Sequence, residues 1–274
     1  LNLTSKQKYN KITPILKISI VIYNHDFSII QKNIESIIKQ KIPCFIILVD
    51  HSPNNRLEKL IQETYDPSLV QYFYRGNSNS GYGGGNNFAF AQKPATQYFL
   101  VLNPDIEMNP NVLTTLVESL KKSEKIGLTF PKVTNIDGTI QFNVKSHPKL
   151  LALAGRRFGF LNKINLIQKS MDDYECKDFN YSKSNEVEYV GGCFMLLRSS
   201  VFKEVLFFDE DFFLYFEDYD LCAKIKKAGY TINYNSKVTI SHGWNRGSHK
   251  SFLLFRTFIA SMIRFFMKWG IQWL

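Results

Sequence analysis

Three short polar groups stand where buried-strand patterns end. Tyr23-Asn24-His25 follows KISIVIY, Asp50-His51-Ser52 overlaps and follows CFIILVD, and Asn103-Pro104-Asp105 follows YFLVL. A carboxylate or amide just past a buried strand is held at the crevice of an open α/β sheet, where ligands bind. There it can accept from a ribose hydroxyl or a base N–H, or ligate a cation. Each group alone reads as a turn or a helix cap, but three on successive strand ends shift the reading towards one site. The run GNSNSGYGGGNN (76–87) is Gly-rich without being GxGxxG or a Walker loop. Gly83, Gly84 and Gly85 would let backbone approach a ligand, and Asn79 and Asn87 could hydrogen-bond a base or sugar. A plain surface loop explains the run equally well.

A second group of candidates lies later. FFDEDFFLYFEDYDLC (207–222) holds Asp209, Glu210, Asp211, Glu217, Asp218 and Asp220 among aromatic rings. Partial desolvation raises a carboxyl pKa and suits a general base. An acidic helix N-terminus accounts for Glu217, Asp218 and Asp220 without any chemistry. His242 follows the strand pattern at 238–240 in a Gly-containing loop. A single His is more often structural, but one in reach of an Asp-bearing site can ligate a divalent cation or contact a phosphate.

The elements that must position these residues alternate. Short β-branched runs at 17–23, 44–50, 70–74 and 98–105 read as strands. Apolar residues at 29, 30, 34, 37 and 38 give helical spacing over 28–40, and 54–64 and 110–122 also read as helices. Strand and helix in alternation predict a parallel sheet with crossovers. Residues 137–186 are less regular and read as a connecting or lid region. Residues 186–198 return to strand character. Residues 217–229 read as a helix, acidic in its first turn, with Gly229 as C-cap. The last segment, 250–274, is very apolar but carries Arg256, Arg264 and Lys268 on one helical stripe with Ala260. Those cations oppose a membrane span. They favour an interfacial amphipathic helix over the alternative, docking on the protein's own core.

Composition bounds the rest. The chain has 274 residues, 45% hydrophobic and 21% charged, which excludes a disordered chain. Its length fits one large domain, or a core domain with an appendage. A net charge of +10 favours anionic partners without choosing among them. Cys44, Cys176, Cys193 and Cys222 form no CxxC pair and read as reduced thiols of a cytosolic protein. The start, LNLTSKQKYNK, has no apolar h-region and does not read as a signal peptide.

At this point an ordered set of motifs, from Ile18 to Ser248, resembles family 2 glycosyltransferases of the GT-A fold, especially their bacterial rhamnosyltransferase-like branch. The set is SIVIYN, ILVDHS, NSNSGYGGGNN, FLVLNPD, GGCFMLLRS, FDEDFFLYFEDYDLCAKIKKAGY and a His-x-x-x-x-Gly-Ser at 242–248. The segment 208–230 is its most specific part. The resemblance implies an α/β, Rossmann-like, mostly parallel central sheet flanked by helices, with a C-terminal amphipathic helical extension. It implies a division into an N-terminal extension (1–16), a transferase domain (17–249, split near 135 into donor and acceptor halves) and a membrane-associating helix (250–274).

The function implied is an inverting transfer of a sugar, L-rhamnose from dTDP-rhamnose, to a hydroxyl of a growing lipid-linked bacterial surface polysaccharide. By the same resemblance Tyr23, Asn24, Asp50 and Ser52 would line the nucleoside pocket, and Asn79, Gly81, Tyr82, Gly85 and Asn87 would shape the donor cleft. Asn103 and Asp105 would stand at the DxD position, Gly191 and Gly192 under the acceptor, and Asp218, with Glu217 beside it, as the base. Asp105 and His242 would hold Mg²⁺ or Mn²⁺, with Arg246 helping to offset the diphosphate. Two departures stand out: Asn103 replaces the first DxD carboxylate, and DHSPNN lacks a later Asp that many relatives carry. The expected partners are the nucleotide sugar, the lipid-linked saccharide and an anionic membrane on the inner face of the bacterial cell membrane, with no nucleic acid. Two rival readings are a UDP-hexose or UDP-N-acetylhexosamine transferase of the same fold, and a non-catalytic sugar-nucleotide-binding subunit.

Overall fold

The computed structural model describes residues 13–243 and 252–273. β1 (Leu16–Ile22) is buried on both faces. Leu16, Ile18, Ile20 and Ile22 alternate with Lys17, Ser19 and Val21, as the strand period of two requires. α1 (Phe27–Ile38), β2 (Cys44–Asp50), α2 (Glu58–Thr64), β3 (Val70–Tyr74), α3 (Gly81–Ala91) and β4 (Tyr98–Leu102) follow. β5 (Ile106–Met108), α4 (Val112–Lys122), β6 (Ile126–Thr134) and β7 (Val144–Lys145) lead to the helices α5 (Leu150–Arg157) and α6 (Asn165–Tyr174). The chain then returns through β8 (Asn185–Val187), β9 (Tyr189–Val190), β10 (Phe194–Arg198), α7 (Ser199–Glu204), α8 (Glu217–Lys227), β11 (Thr231–His242) and α9 (Phe252–Trp269).

The main sheet has the order β3-β2-β1-β4-β10-β6-β11-β5, with β8 on β11. β1, β2, β3, β4, β6 and β11 run one way, while β10, β5 and β8 run the other. The sheet is therefore mostly parallel and the fold is GT-A, with an antiparallel strand inserted between β4 and β6. Same-direction strands bring their carboxyl ends to one edge, which is why Asn24, Asp50 and Asn103 meet there.

Three stretches differ from the sequence reading. The glycine cluster is not a loop: helix α3 starts at Gly81 and takes in Gly83, Gly84 and Gly85. Each Gly costs a helix about 1 kcal/mol relative to Ala, and here the closeness of packing explains their presence. A Cβ on Gly85 would lie 2.8 Å from Val21 Cγ2 and 2.9 Å from His51 Nε2. α3 is also tied to β1 by Ser19 Oγ, which donates to Asn86 Oδ1 (2.6 Å), and by Lys17 Nζ, which donates to the carbonyls of Phe90 and Gln92 at the helix end. Residues 137–186 are more regular than their composition suggests. α5 and α6 bury Ala152, Leu153, Ile167, Met171 and Tyr174 against each other and within the common core, over helices too short to announce a period. The strand expected over 186–198 is broken twice, between β8 and β9 at Glu188 and between β9 and β10 at the Gly191-Gly192 turn.

α9 lies against α8 and the 209–216 segment. Phe265 and Phe266 are buried, and Ser261 Oγ donates to the Leu214 carbonyl (2.9 Å). Arg264 pairs with Asp211, and Lys268 reaches Asp209 (2.6 Å) and Asp220 (2.8 Å). Trp269 Nε1 donates to Asp220 Oδ1 (2.8 Å). Two of the three cations on the stripe thus serve the protein's own carboxylates.

Candidate active site

Asn33, a polar residue on the buried side of α1, sets the turn after β4. Its Nδ2 donates to the carbonyls of Asn103 (3.2 Å) and Ile106 (2.6 Å). β5 then pairs with β11 in the register Ile106↔His242, which brings His242 beside Asp105. His242 Nε2 is 3.3 Å from Asp105 Oδ1. Its Nδ1 is 3.0 Å from Gln141 Oε1, and Gln141 Nε2 donates to the His242 carbonyl (2.9 Å). Burial opposes the imidazolium, but Cys193 and Asp105 outweigh it and raise His242 to about 10. Burial likewise opposes the Asp105 carboxylate, and the bond to His242 more than offsets this, so its pKa is lowered.

Asn103 continues the line. Its Nδ2 is 3.3 Å from His242 Nε2, and its Oδ1 is 2.9 Å from the Tyr82 hydroxyl. That hydroxyl is also 2.9 Å from the Gly192 carbonyl, and its single proton serves one acceptor at a time. Tyr82 is placed from below: Asn79 Oδ1 accepts the Gly81 N–H (2.9 Å), and the Tyr82 N–H donates to the Phe213 carbonyl (3.1 Å). Gly81 has φ +76°, and a Cβ there would come within 1.9 Å of the Phe213 oxygen.

The Gly192 N–H donates to Asp218 Oδ2 (2.8 Å), and the Tyr219 N–H to Oδ1 (2.9 Å). A Cβ on Gly192 would meet the Asp218 side chain at 3.1 Å. Burial pushes Asp218 up to about 6 against the pull of those two amides. Glu217 is buried more deeply, its Oε2 has no partner, and burial together with the Asp218 charge holds its pKa well above the carboxylate range. Of the pair, Asp218 is the one that can be a charged base near neutral pH. Gly191 is fixed by Asn143, whose carbonyl accepts the Gly191 N–H (3.1 Å).

The expected nucleoside side is built differently from its sequence reading. Tyr23 is exposed, and Asn24, with φ 55°, donates its N–H to Ser52 Oγ (2.8 Å). Asp50 is 0% exposed. Its Oδ1 accepts the Ser52 N–H (2.7 Å) and its Oδ2 the Tyr72 hydroxyl (2.5 Å), so it braces the crevice from behind. Asn87 faces away from the crevice: it exchanges hydrogen bonds with the Phe208 backbone and donates to Glu210 Oε1 (2.9 Å).

Asp105, His242, Asn103, Tyr82, Gly192 and Asp218 thus form one unbroken run of polar contacts. Arg246 and the rest of the His-x-x-x-x-Gly-Ser element lie outside the described residues. Sequence reasoning missed Asn33, Tyr72, Gln141 and Asn143, which hold these groups in place. Only Asn33 left a signal, a polar residue beside Ile30, Ile34 and Ile37 on one helical face.

Among the described residues no cluster of three or more His, Cys, Asp or Glu forms a ready cation cage. The fit to Mg²⁺ or Mn²⁺ is through Asp105, joined by His242 only once its Nε2 has given up the proton it shares with Asp105, a partial set of donors that phosphate oxygens and water would have to complete.

Residues 18–206 match the model of glycosyl transferase family 2. The chain belongs to this family. The family 2 transferase is 26% identical to the rhamnosyltransferase WbbL of Escherichia coli over 84% of this chain and 92% of that one. It is also 26% identical to the N-acetylglucosaminyl-diphospho-decaprenol L-rhamnosyltransferase of Mycobacterium tuberculosis, over 60% of this chain and 56% of that one. In fold it is similar to GalNAc-T7 solved with UDP, GalNAc and Mn²⁺ (TM-score 0.65, 16% identity, 85% of this chain, 44% of that chain). It is similar too to the mannosyltransferase PcManGT of Pyrobaculum calidifontis with GDP-Man and Mn²⁺ (TM-score 0.57, 14% identity, 87% and 59%). The transferase spans less than two thirds of the mycobacterial relative and of both solved structures. Among its described residues no helix is long and apolar enough to cross a membrane.

Proposed function

We propose that this glycosyltransferase moves L-rhamnose from dTDP-rhamnose, with inversion, to a hydroxyl of a lipid-linked saccharide in the assembly of a bacterial surface polysaccharide. The observation that carries the reading is the run of contacts from Asp105 to Asp218, which links a cation-compatible carboxylate to a carboxyl of raised pKa suited to act as base. The two rhamnosyltransferase relatives support rhamnose as the sugar moved, and the mycobacterial one supports a lipid-linked acceptor.

In this reading Asp218 takes the acceptor hydroxyl proton as its oxygen attacks the anomeric carbon from the side opposite the diphosphate. General-base help of this kind is worth about 10²–10⁴-fold. The Gly192 and Tyr219 amides aim the carboxylate, and Gly191-Gly192 leave room for the sugar above it. Tyr23, Asn24 and Ser52 receive the nucleoside, with Asp50 and Tyr72 behind them. Asn79, Gly81 and Gly85 seat Tyr82 and the start of α3 under the donor. Mg²⁺ or Mn²⁺ held by Asp105 and His242 would supply charge to offset the leaving diphosphate. The acceptor is met at the inner face of the cell membrane, with segment 250–274 in contact with the lipid.

The test is a panel of dTDP-, UDP- and GDP-sugars, scored by nucleoside diphosphate released with a lipid-linked acceptor, with and without Mn²⁺. Turnover of dTDP-rhamnose that falls at least a hundredfold in Asp218→Asn, with donor affinity kept, is the expected result. Turnover confined to UDP-sugars would overturn the donor assignment. Full activity in Asp218→Asn would overturn the base.

A further inference from the structure

Charge in this chain is segregated. Residues 138–171 hold Lys145, Lys149, Arg156, Arg157, Lys163 and Lys169 and no Asp or Glu, and residues 221–274 hold nine Lys and Arg and no Asp or Glu. Together they carry fifteen of the 34 Lys and Arg and none of the 24 Asp and Glu, so the rest of the chain has a net charge of −5.

The fold joins part of each stretch, α5 of the first and α9 of the second. At the start of α5, the N–H groups of Leu150 and Leu151 donate to the carbonyls of Gln272 and Trp273, just past α9. At its end, the Arg157 guanidinium stacks on Phe255, near the start of α9. Large apolar side chains are exposed on both. On α9 and beyond these include Leu253, Ile263, Met267 (83%) and Trp273; on the segment after α5 they are Phe158, Phe160 (70%), Ile164 and Leu166. Arg256, Lys163 and Lys169 are exposed among them. Three carboxylates beside α9, Asp209, Asp211 and Asp220, are paired with its Arg264 and Lys268.

We infer that α9 and the 158–166 segment form one composite surface that enters an anionic lipid bilayer, with Phe158, Phe160, Ile164 and Leu166 as a second insertion point beside the helix. This rests on the membrane contact proposed above and changes its form: the outer face of α9 is apolar, and the tail is not the sole anchor. Bulky apolar and aromatic groups interspersed with cations fit the headgroup layer. An acidic protein groove would match the charge but not the breadth of the apolar face.

The experiment is co-sedimentation of the full chain with vesicles of phosphatidylcholine, alone or mixed with phosphatidylglycerol, at low and high salt. The compared variants are Phe158→Ser/Phe160→Ser, Ile164→Ser/Leu166→Ser and Ile263→Ser/Met267→Ser, all at exposed positions, with circular dichroism and melting curves as folding controls. Binding to the phosphatidylglycerol vesicles, weakened by salt and reduced about tenfold or more by each pair, is the expected outcome. If only the α9 pair loses binding, the composite surface is wrong while the tail contact stands. If the unmodified chain binds neither vesicle, both are wrong. A dimer in solution broken by Phe158→Ser/Phe160→Ser would assign the patch to a second copy and overturn the inference.

Discussion

Asp218 gives a test that needs no substrate. Burial pushes its carboxyl from the ordinary 3.8 up to about 6, a gap that corresponds to about 3 kcal/mol in all. The folded carboxyl binds its proton more tightly than the unfolded one. The stability that this proton brings is therefore present at low pH and lost as pH rises through about 6. Between about pH 4.5 and pH 8 the loss works out at about 2 kcal/mol. Asp218→Asn does not titrate and escapes this loss. The variant also leaves one of the Gly192 and Tyr219 amides without an acceptor, at about 1–3 kcal/mol. That cost is the same at both pH values and drops out of the comparison. Glu217 acts in the same direction, because removing the Asp218 charge eases its ionisation. Urea unfolding of both proteins at the two pH values should show the variant gaining about 2 kcal/mol or more on the wild type from low to high pH. Parallel stability curves would refute the claim that Asp218 is a strained, high-pKa carboxylate.

Three further outcomes follow from the same geometry. Sugar transfer should fall about tenfold for each pH unit below about 6, as Asp218 takes up its proton, and a rate flat down to about pH 4 would exclude it as the base. Asn103→Asp, which adds a carboxylate 3.3 Å from His242 Nε2, should tighten Mn²⁺ binding measured by calorimetry without nucleotide, and unchanged affinity would count against a cation at Asp105. Gly81→Ala, with its Cβ driven against the Phe213 carbonyl at φ +76°, should cost more than about 2 kcal/mol in a thermal melt, and a loss under about 0.5 would show that the turn relaxes freely.

The alternation of the first half was legible because each buried strand is a short β-branched run between helical spacings. β2 and β3 occupy the residues their patterns mark, 44–50 and 70–74. The strand-end residues were legible for the same reason: a polar group after an apolar run has to lie at the sheet edge. Long-range register was not. Nothing near His242 in the chain points to Asp105; the pairing Ile106↔His242 across β5 and β11 brings them together. The glycine-rich start of α3 was hidden because its glycines argue against a helix locally, and the reason for Gly85, the proximity of Val21 and His51, is tertiary. The inward turn of Arg264 and Lys268 was hidden too, since a cationic stripe looks the same whether it faces headgroups or the protein's own aspartates.

That inward turn limits how the enzyme can be shortened. Asp220 is fully buried two residues past Asp218, and it is held by the Lys268 ammonium and by a hydrogen bond from the Trp269 N–H. A version cut before Phe252 would leave that aspartate with Lys224 alone among the ion pairs seen here. The loosened helix α8 would then disturb the aim of Asp218. Truncation would silence the protein even where no lipid is needed, so lost turnover in such a fragment says nothing about anchoring.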